Sequence, residues 1–436
     1  MVRLIPFFLL IASTNVYADF DLRLLKSLVD SGQNEKAYDY ALKEITDFEG
    51  TPKFDYYYAI AAIDSGHANE GVFALERVLL LDPDNYAARL ELARGYFILE
   101  EYARARQEFE TVLTASPPKD VTSSVNLYLD AITIKEGRYK TTQTAFVEFG
   151  FGSDSNVNSG PTIDSFDIGI FSVVLDADSQ EQDDTFAELK LGYNVSSPIL
   201  PGTLYFLSLN ADLHNNDDNS QYNTQAYTLD TGLKFHQGKN VITLNAFAQQ
   251  VQLNHDDYRT LTGLNSSWLN NLSQKSSLQL YLQLSNQDYN QQSTSDASTV
   301  LLGGSYSQKF SVNYAPVLIA GLYLAQDDPK SNTDAAREST ERDYFGVNLG
   351  AMFGLSDKLS AQLSLRYQDT KYGMLSWFTG KTRRDDHFTQ TLNFIWRLDR
   401  HWALSAKASV IKNSSNVELF EYDRTVLSTN LRYKLQ

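Results

Sequence analysis

Between Asp21 and Gly137 apolar side chains recur at spacings of three and four, whereas after Tyr139 they recur at every second position. The first period belongs to helices with one buried face, the second to strands with one apolar side. Pattern alone predicts a helical domain over residues 19–137 and a β domain over residues 138–436, an α + β multidomain chain.

The helical half repeats. "DNYAARLELARGYFILEEYARARQEFETVLTASP" sets Leu92, Ala93, Tyr96, Ala105, Phe109 and Pro117 where a tetratricopeptide unit of about 34 residues keeps its large and small side chains. One period earlier Ala59, Gly71, Leu75, Val78 and Pro83 take the same places, and Ala37 stands on the small-residue site of a more degenerate copy. Paired helices approach closely only at Ala or Gly, while Tyr and Phe fill the space to the next pair, so neither pair buries its apolar face alone. The expected product is a short α-solenoid whose inner wall is formed by the first helix of each repeat. Tyr56, Ile60, Arg94 and Phe97 fall on that wall and are the expected contacts for a client segment. Packing or plain exposure to solvent is the competing reading of each.

In the second half "TTQTAFVEFGFG" alternates Ala145, Val147, Phe149 and Phe151 with Phe146, Glu148, Gly150 and Gly152, and the texture recurs through about fourteen segments. Short links ("SSPILPG", "HQGKN", "NLSQK", "KFSVNYA", "LSDK", "RLDR") alternate with longer polar ones: Asp154 to Asp183, His214 to Gln221, Gln287 to Asp296, Gln326 to Glu341, Asp369 to Asp386 and Lys412 to Asp423. This alternation predicts a closed antiparallel transmembrane β-barrel with tight periplasmic turns and larger outside loops. Closure is obligatory, because an open sheet edge in hydrocarbon would leave backbone groups without partners. The link at "HDDY" is short for its side and is the weak point of the register. Tyr205, Tyr222, Trp268, Tyr281, Tyr323, Tyr344, Trp396, Trp402 and Tyr433 lie near strand ends and suit interfacial girdles.

The extreme N-terminus changes the picture by setting the compartment. Arg3, the apolar run Leu4 to Ala12 and the small-residue pattern Val16-Tyr17-Ala18 describe a secretory signal peptide over residues 1–18. Beyond it no run of roughly 18 apolar residues offers a spanning helix, so an exported chain either stays in water or crosses as a barrel. The 436 residues carry a formal charge of −17, which argues against nucleic acid as a partner. The absence of Cys removes disulfides and thiolate metal sites.

Little chemistry emerges. Asp154, Asn156 and Asn158 have the spacing that opens a calcium loop, but Ser159 and Ser165 stand where Gly and Glu are required and no helix flanks them. No metal or cofactor is expected. Ser155-Asn156-Val157 is echoed by Ser415-Asn416-Val417. The first copy follows the first strand and the second precedes the last, so Asp154, Ser155, Asn156, Asn158, Ser415 and Asn416 are expected to cap the barrel seam at its outer turns; contact with a passing substrate is the minority reading. The 6 His residues are scattered without ligand spacing, and no catalytic motif appears.

The combination of signal peptide, tetratricopeptide-like repeats, and a barrel opening with "GFGSDSNVN" and closing with "SSNVELFEYDRTVLSTNLRYKLQ" resembles the surface lipoprotein assembly modulator (Slam) family, as does "GKTRRDDHF". The resemblance covers nearly all of the chain beyond residue 18. It implies a translocator, not an enzyme, that engages lipidated or soluble secreted clients in the periplasm and delivers them to the cell surface. The partners implied are an exported client protein, the outer membrane with its lipopolysaccharide, and the barrel-assembly machinery. Polysaccharide export, where a repeat domain also precedes a barrel, and small-solute diffusion remain the alternatives.

Overall fold

The computed structural model describes residues 20–137, 140–168, 171–376 and 379–435. The predicted signal peptide lies outside the described residues. The described chain divides into two compact units, one ending at Lys135 and one starting at Glu136.

The first unit contains α1 (Leu22–Asp30), α2 (Asn34–Leu42), α3 (Ile45–Phe48), α4 (Pro52–Asp64), α5 (Ala68–Leu81), α6 (Tyr86–Ile98), α7 (Tyr102–Thr114) and α8 (Lys119–Glu136). Local chemistry marks their starts: the Asp21 side chain accepts from Arg23 N ahead of α1, Asn85 accepts from Ala88 N ahead of α6, and Pro52 opens α4. The core is the repeat signature made solid, with Ala37, Ala59, Leu75, Val78, Leu92, Ala93, Tyr96, Ala105 and Phe109 all buried. Where α4 crosses α5 the backbones nearly touch. A Cβ on Gly71 would lie 2.6 Å from Ile63 Cγ1 and 2.8 Å from the Ala59 carbonyl oxygen, so this position has room only for hydrogen.

The second unit is a closed barrel of 14 antiparallel strands. In chain order they are β1 (Thr142–Asp154), β4 (Asp184–Leu200), β5 (Thr203–Asn216), β6 (Thr224–Gln237), β7 (Asn240–Leu253), β8 (Asp256–Asn270), β9 (Ser276–Tyr289), β10 (Ala297–Lys309), β11 (Val317–Pro329), β12 (Arg342–Gly354), β13 (Leu359–Leu375), β14 (Thr382–Arg397), β15 (Trp402–Ser415) and β16 (Tyr422–Leu435). A separate hairpin of β2 (Ser165–Ile168) and β3 (Phe171–Val174) belongs to the first long loop, and α9 (Asp334–Thr340) to the loop before β12. β1 closes on β16 from Ala145 opposite Leu435 to Asp154 opposite Val426.

Alternation sorts the two faces. Phe149 and Phe151 are 55% and 70% exposed on the outside, whereas Glu148 and Asp154 of the same strand are buried on the lumen side. Register carries the sorting around the barrel: Phe149 lies opposite Leu189 and Leu431, and Glu148 opposite Lys190 and Arg432. The outer face is therefore an apolar belt and the inner face is polar.

Inside, aromatic rings repeatedly cover glycines directly opposite on the next strand. The pairs are Phe186 with Gly152, Phe146 with Gly192, Phe247 with Gly263, Tyr281 with Gly303 and Tyr323 with Gly346. At Gly346 an added Cβ would stand 2.2 Å from the Tyr323 ring. Each glycine lets a strand curve, and each ring refills the gap. Tyr281 and Tyr323 thus point inward, and so does Tyr344, whose ring lies under Arg342; the expected girdle role fails for these three residues. Tyr205, Trp268, Trp396 and Trp402 do face outward, each more than a third exposed.

The expected short links all lie at the end where β1 begins and β16 stops. At the other end the "HDDY" link is a two-residue turn, Asn254 and His255, with φ of 50° and 72°. This is the left-handed pair that a tight hairpin demands, and the register slips beside it between Val251 and Gln252. The link expected from Asp369 to Asp386 shrinks to residues 376–381, because β13 and β14 run on to Leu375 and from Thr382. Strands already side by side continue to exchange backbone hydrogen bonds after their apolar alternation has ended.

Candidate functional site

Two surfaces offer themselves, one in each unit. In the helical unit the first helices of successive repeats place Tyr56 and Ile60 on α4 and Arg94 and Phe97 on α6, all partly exposed. Arg94 is not a free contact. Its Nη2 donates to Asp64 Oδ1 at 2.6 Å, its Nη1 donates to Glu91, and Asn34 Nδ2 reaches the other Asp64 oxygen at 3.2 Å. Burial pushes the Glu91 carboxyl above its ordinary range against the pull of Arg94, and the Arg94 guanidinium, in spite of its own burial, is held above its ordinary value by Glu91 and Asp64. Phe97 packs its ring 5.2 Å from Tyr128 and 5.8 Å from Tyr102, and Tyr56 packs 5.2 Å from Tyr57. The wall thus carries aromatic rings beside a fixed ion cluster. Asp64, Glu91 and Tyr128 were not among the residues singled out from sequence; the near-repeat spacing of Asp64 and Arg94 was the available signal.

In the barrel the seam is cross-linked on its lumen side by charged and amide side chains. Glu148 on β1 accepts from Arg432 Nε at 2.5 Å and Asn430 Nδ2 at 3.0 Å, both on β16. Asn430 also reaches Glu188 on β4, whose carboxylate takes Lys190 at 3.0 Å. Higher up, Asp154 receives Arg424. Ser155 pairs with Thr425 through its own N–H at 3.0 Å and through its Oγ at 2.9 Å. Fully buried Asn156 donates to the Asp423 and Gly160 carbonyls at 3.0 and 2.9 Å. Asn158 ties the returning end of the same loop, donating to the Gln180 carbonyl at 2.6 Å.

The echo in sequence does a related job elsewhere. Ser415 Oγ donates to Asp385 at 2.8 Å, and Asn416 accepts from Arg384 N and donates to the Thr382 carbonyl, both at 2.8 Å. It fastens the loop after β15 to β14, away from the β1–β16 seam where it was expected. A one-strand displacement of this kind is invisible to spacing, because either neighbour of β15 could receive the turn. The Asp154 carboxylate itself is occupied by Arg424.

Near the long-loop end of the lumen, cations and rings alternate across three strands and a loop. Arg342 pairs with Asp327 at 2.7 Å and lies 5.8 and 5.9 Å from the rings of Tyr344 and Tyr372; Arg383 lies 4.7 Å from Tyr372 and 3.4 Å from Phe420. These residues come from distant segments, and nothing in the sequence joins them. On the nearby wall, with only β11 between, β9 and β10 carry Gln279, Gln283, Ser285, Thr299, Ser305 and Ser307, which are polar and uncharged, and Thr299 donates to Asp327 at 2.6 Å.

The sequence model of the surface lipoprotein assembly modifier family matches residues 145–430. The chain belongs to that family. A tetratricopeptide repeat model matches residues 62–121. A surface lipoprotein assembly modifier of Moraxella catarrhalis is 21% identical over 366 residues, covering 81% of this chain and 67% of the relative. Among solved structures, the outer membrane channel DcaP of Acinetobacter baumannii is similar over 68% of this chain and 97% of its own, at 12% identity and a TM-score of 0.41. A Pseudomonas aeruginosa FadL homologue matches 68% of this chain and 90% of its own, at 8% identity and a TM-score of 0.38.

This member of the family is accordingly an outer-membrane β-barrel with a tetratricopeptide domain on the periplasmic side. The family is one of lipoprotein assembly factors rather than enzymes, and its work lies in surface lipoprotein assembly.

Proposed function

We propose that this protein receives an exported client in the periplasm on the ring-lined wall of its helical domain and passes it through the barrel to the cell surface. The client class is a lipoprotein or a β-rich secreted relative. The observation that carries the reading is the joining, in one chain of this family, of a partner-binding helical fold to a closed barrel with a polar inner face. Such a face hydrates a moving polypeptide and needs no covalent step. Family membership sets this reading above polysaccharide export and small-solute diffusion. Lipopolysaccharide around the belt and the barrel-assembly machinery as insertion partner complete the proposal.

The test is to express a surface lipoprotein client with and without this chain and to treat intact cells with protease. Client cleavage that depends on the chain supports translocation, and equal cleavage in its absence ends the proposal. Deleting residues 19–137 should leave barrel insertion intact and abolish client display. A bare barrel that exports normally would remove the helical domain from the mechanism.

A further inference from the structure

Two arcs of the inner wall carry unlike charge. On β9 to β15 the inward register positions include no carboxylate below Asp327 and Asp385, which Arg342 and Arg383 answer at 2.7 and 2.6 Å. Lower on that arc Arg366 of β13 and Lys407 of β15 face the lumen, and both are exposed. Arg366 donates to the neutral Asn348 at 3.0 Å, and neither cation has an ion pair among the described residues. Asn393, directly opposite Lys407, has a buried amide oxygen with no partner among the described residues.

The facing arc is acidic. β6 stands seven places from β13 in the ring of 14 strands, so Asp230, which accepts from Asn245 at 2.8 Å, lies across the lumen from the strand of Arg366. Asp212 on neighbouring β5 has no ion pair among the described residues. Charges of opposite sign separated across a channel with low-dielectric walls set up a field between them. An anionic segment in the lumen is drawn to β13–β15 and pushed away from β5 and β6.

Spacing narrows the ligand. Arg366 lies opposite Thr389 and Thr389 opposite Ile411, so Arg366 and Lys407 are two strands and four residues apart. With strands about 4.8 Å apart and a rise of about 3.3 Å per residue, the two backbones are about 16 Å apart. An extended peptide covers that distance in about five residues and puts every second side chain on one face. Acidic residues at alternate positions therefore meet both cations, while the Asn393 oxygen can accept from a peptide N–H.

We infer that the β13–β15 wall of the lumen holds acidic, extended polypeptide segments of the client, with Arg366 and Lys407 as the residues that position them. The inference rests on the translocation reading and names the chemistry of what the lumen receives. A synthetic peptide reads it without export, so the two fail separately: client display without peptide binding removes this inference alone, and peptide binding without display removes translocation alone.

The test titrates full-length protein in detergent into a fluorophore-labelled octapeptide of alternating Glu and Ser, or into its counterpart of alternating Gln and Ser, followed by anisotropy. Wild-type protein should bind the acidic peptide more tightly than the neutral one, and less tightly as salt rises. The chain as a whole carries a formal charge of −17, so general attraction would not produce that preference. Arg366→Gln and Lys407→Gln should each weaken acidic-peptide binding about fivefold, the upper range for one exposed charge pair, and the double variant by more than about tenfold. Arg366→Lys and Lys407→Arg should retain it, and Lys371→Gln, on the outward register of β13, should leave it unchanged. A heat-shifted gel band confirms that each variant is a folded barrel. Equal binding of the two peptides, undiminished acidic-peptide binding by the folded double variant, or a Lys371→Gln loss matching that of Arg366→Gln would each overturn the assignment.

Discussion

Arg424 on β16 grips Asp154 on β1 with Nε at 2.9 Å and Nη2 at 2.5 Å from the same carboxylate oxygen, across 270 residues of chain. Asp154 is buried and Arg424 about a quarter exposed, so the pair works largely out of water at the point where the barrel must close.

Breaking this pair should loosen the seam. Asp154→Ala leaves the guanidinium without its partner, at a cost of about 3 kcal/mol, the low end for a buried pair because Arg424 retains some water. Asp154→Ala/Arg424→Ala should cost less than the two single changes added together. The temperature at which the folded band disappears on detergent gels reads both; an Asp154→Ala barrel as heat-resistant as wild type would remove the pair from the account of closure.

Gly71 sets the spacing of α4 and α5. Gly71→Val would drive a branched side chain against the Ala59 carbonyl and Ile63, costing about 1–3 kcal/mol in overpacking. The helical unit should become protease-sensitive while the barrel still inserts. Equal protease resistance in the variant would show that the two helices can separate freely.

Glu70 gives the helical unit a pH dependence of known sign. The Tyr58 hydroxyl, donating at 2.6 Å, holds the Glu70 carboxyl below its ordinary range against the opposing effect of burial, and Tyr38 adds to this at 2.8 Å. A carboxyl depressed in the folded state contributes stability above its unfolded value, lost as pH falls through the folded value. Denaturant midpoints followed by helical circular dichroism should drop as pH falls through and below the ordinary carboxylate range, and less steeply in Glu70→Gln. Parallel slopes for the two proteins would contradict the assignment.

The ring-lined wall is open to direct test by client capture. Phe97→Ala, and Ile60→Asp as a change with less packing consequence, should each weaken binding of a lipoprotein client to the full-length protein about tenfold. Arg94→Ala should act differently: with Asp64 and Glu91 left unanswered, it should lower the stability of the unit as well as its affinity. Calorimetric titration beside thermal unfolding separates the two effects, and unchanged affinity in both Phe97→Ala and Ile60→Asp would place the client elsewhere.

The repeat residues Ala59, Gly71, Leu92, Ala93 and Phe109 could be read from the chain because close helix packing tolerates few side chains at those points, whatever the partner. The alternation in "TTQTAFVEFGFG" was readable for the same kind of reason: a strand between lipid and water must sort its side chains by face. Strand ends were harder, as β13 and β14 show, because pairing continues where the sorting pressure stops. The inward turn of Tyr281, Tyr323 and Tyr344 was hidden as well, since an aromatic near a strand end suits either face until register places a glycine or a cation opposite it.

By itself the sequence determined that a helical repeat precedes a membrane barrel, since periodicity is imposed locally by helix geometry and by the bilayer. Tertiary structure alone decided which distant residues meet: Asp154 with Arg424, Glu148 with Arg432, Arg383 with Phe420, and Asn416 with β14 rather than the seam. Those meetings depend on how far each strand is shifted against its neighbour. That shift is set by all the strands closing together, and no single segment encodes it.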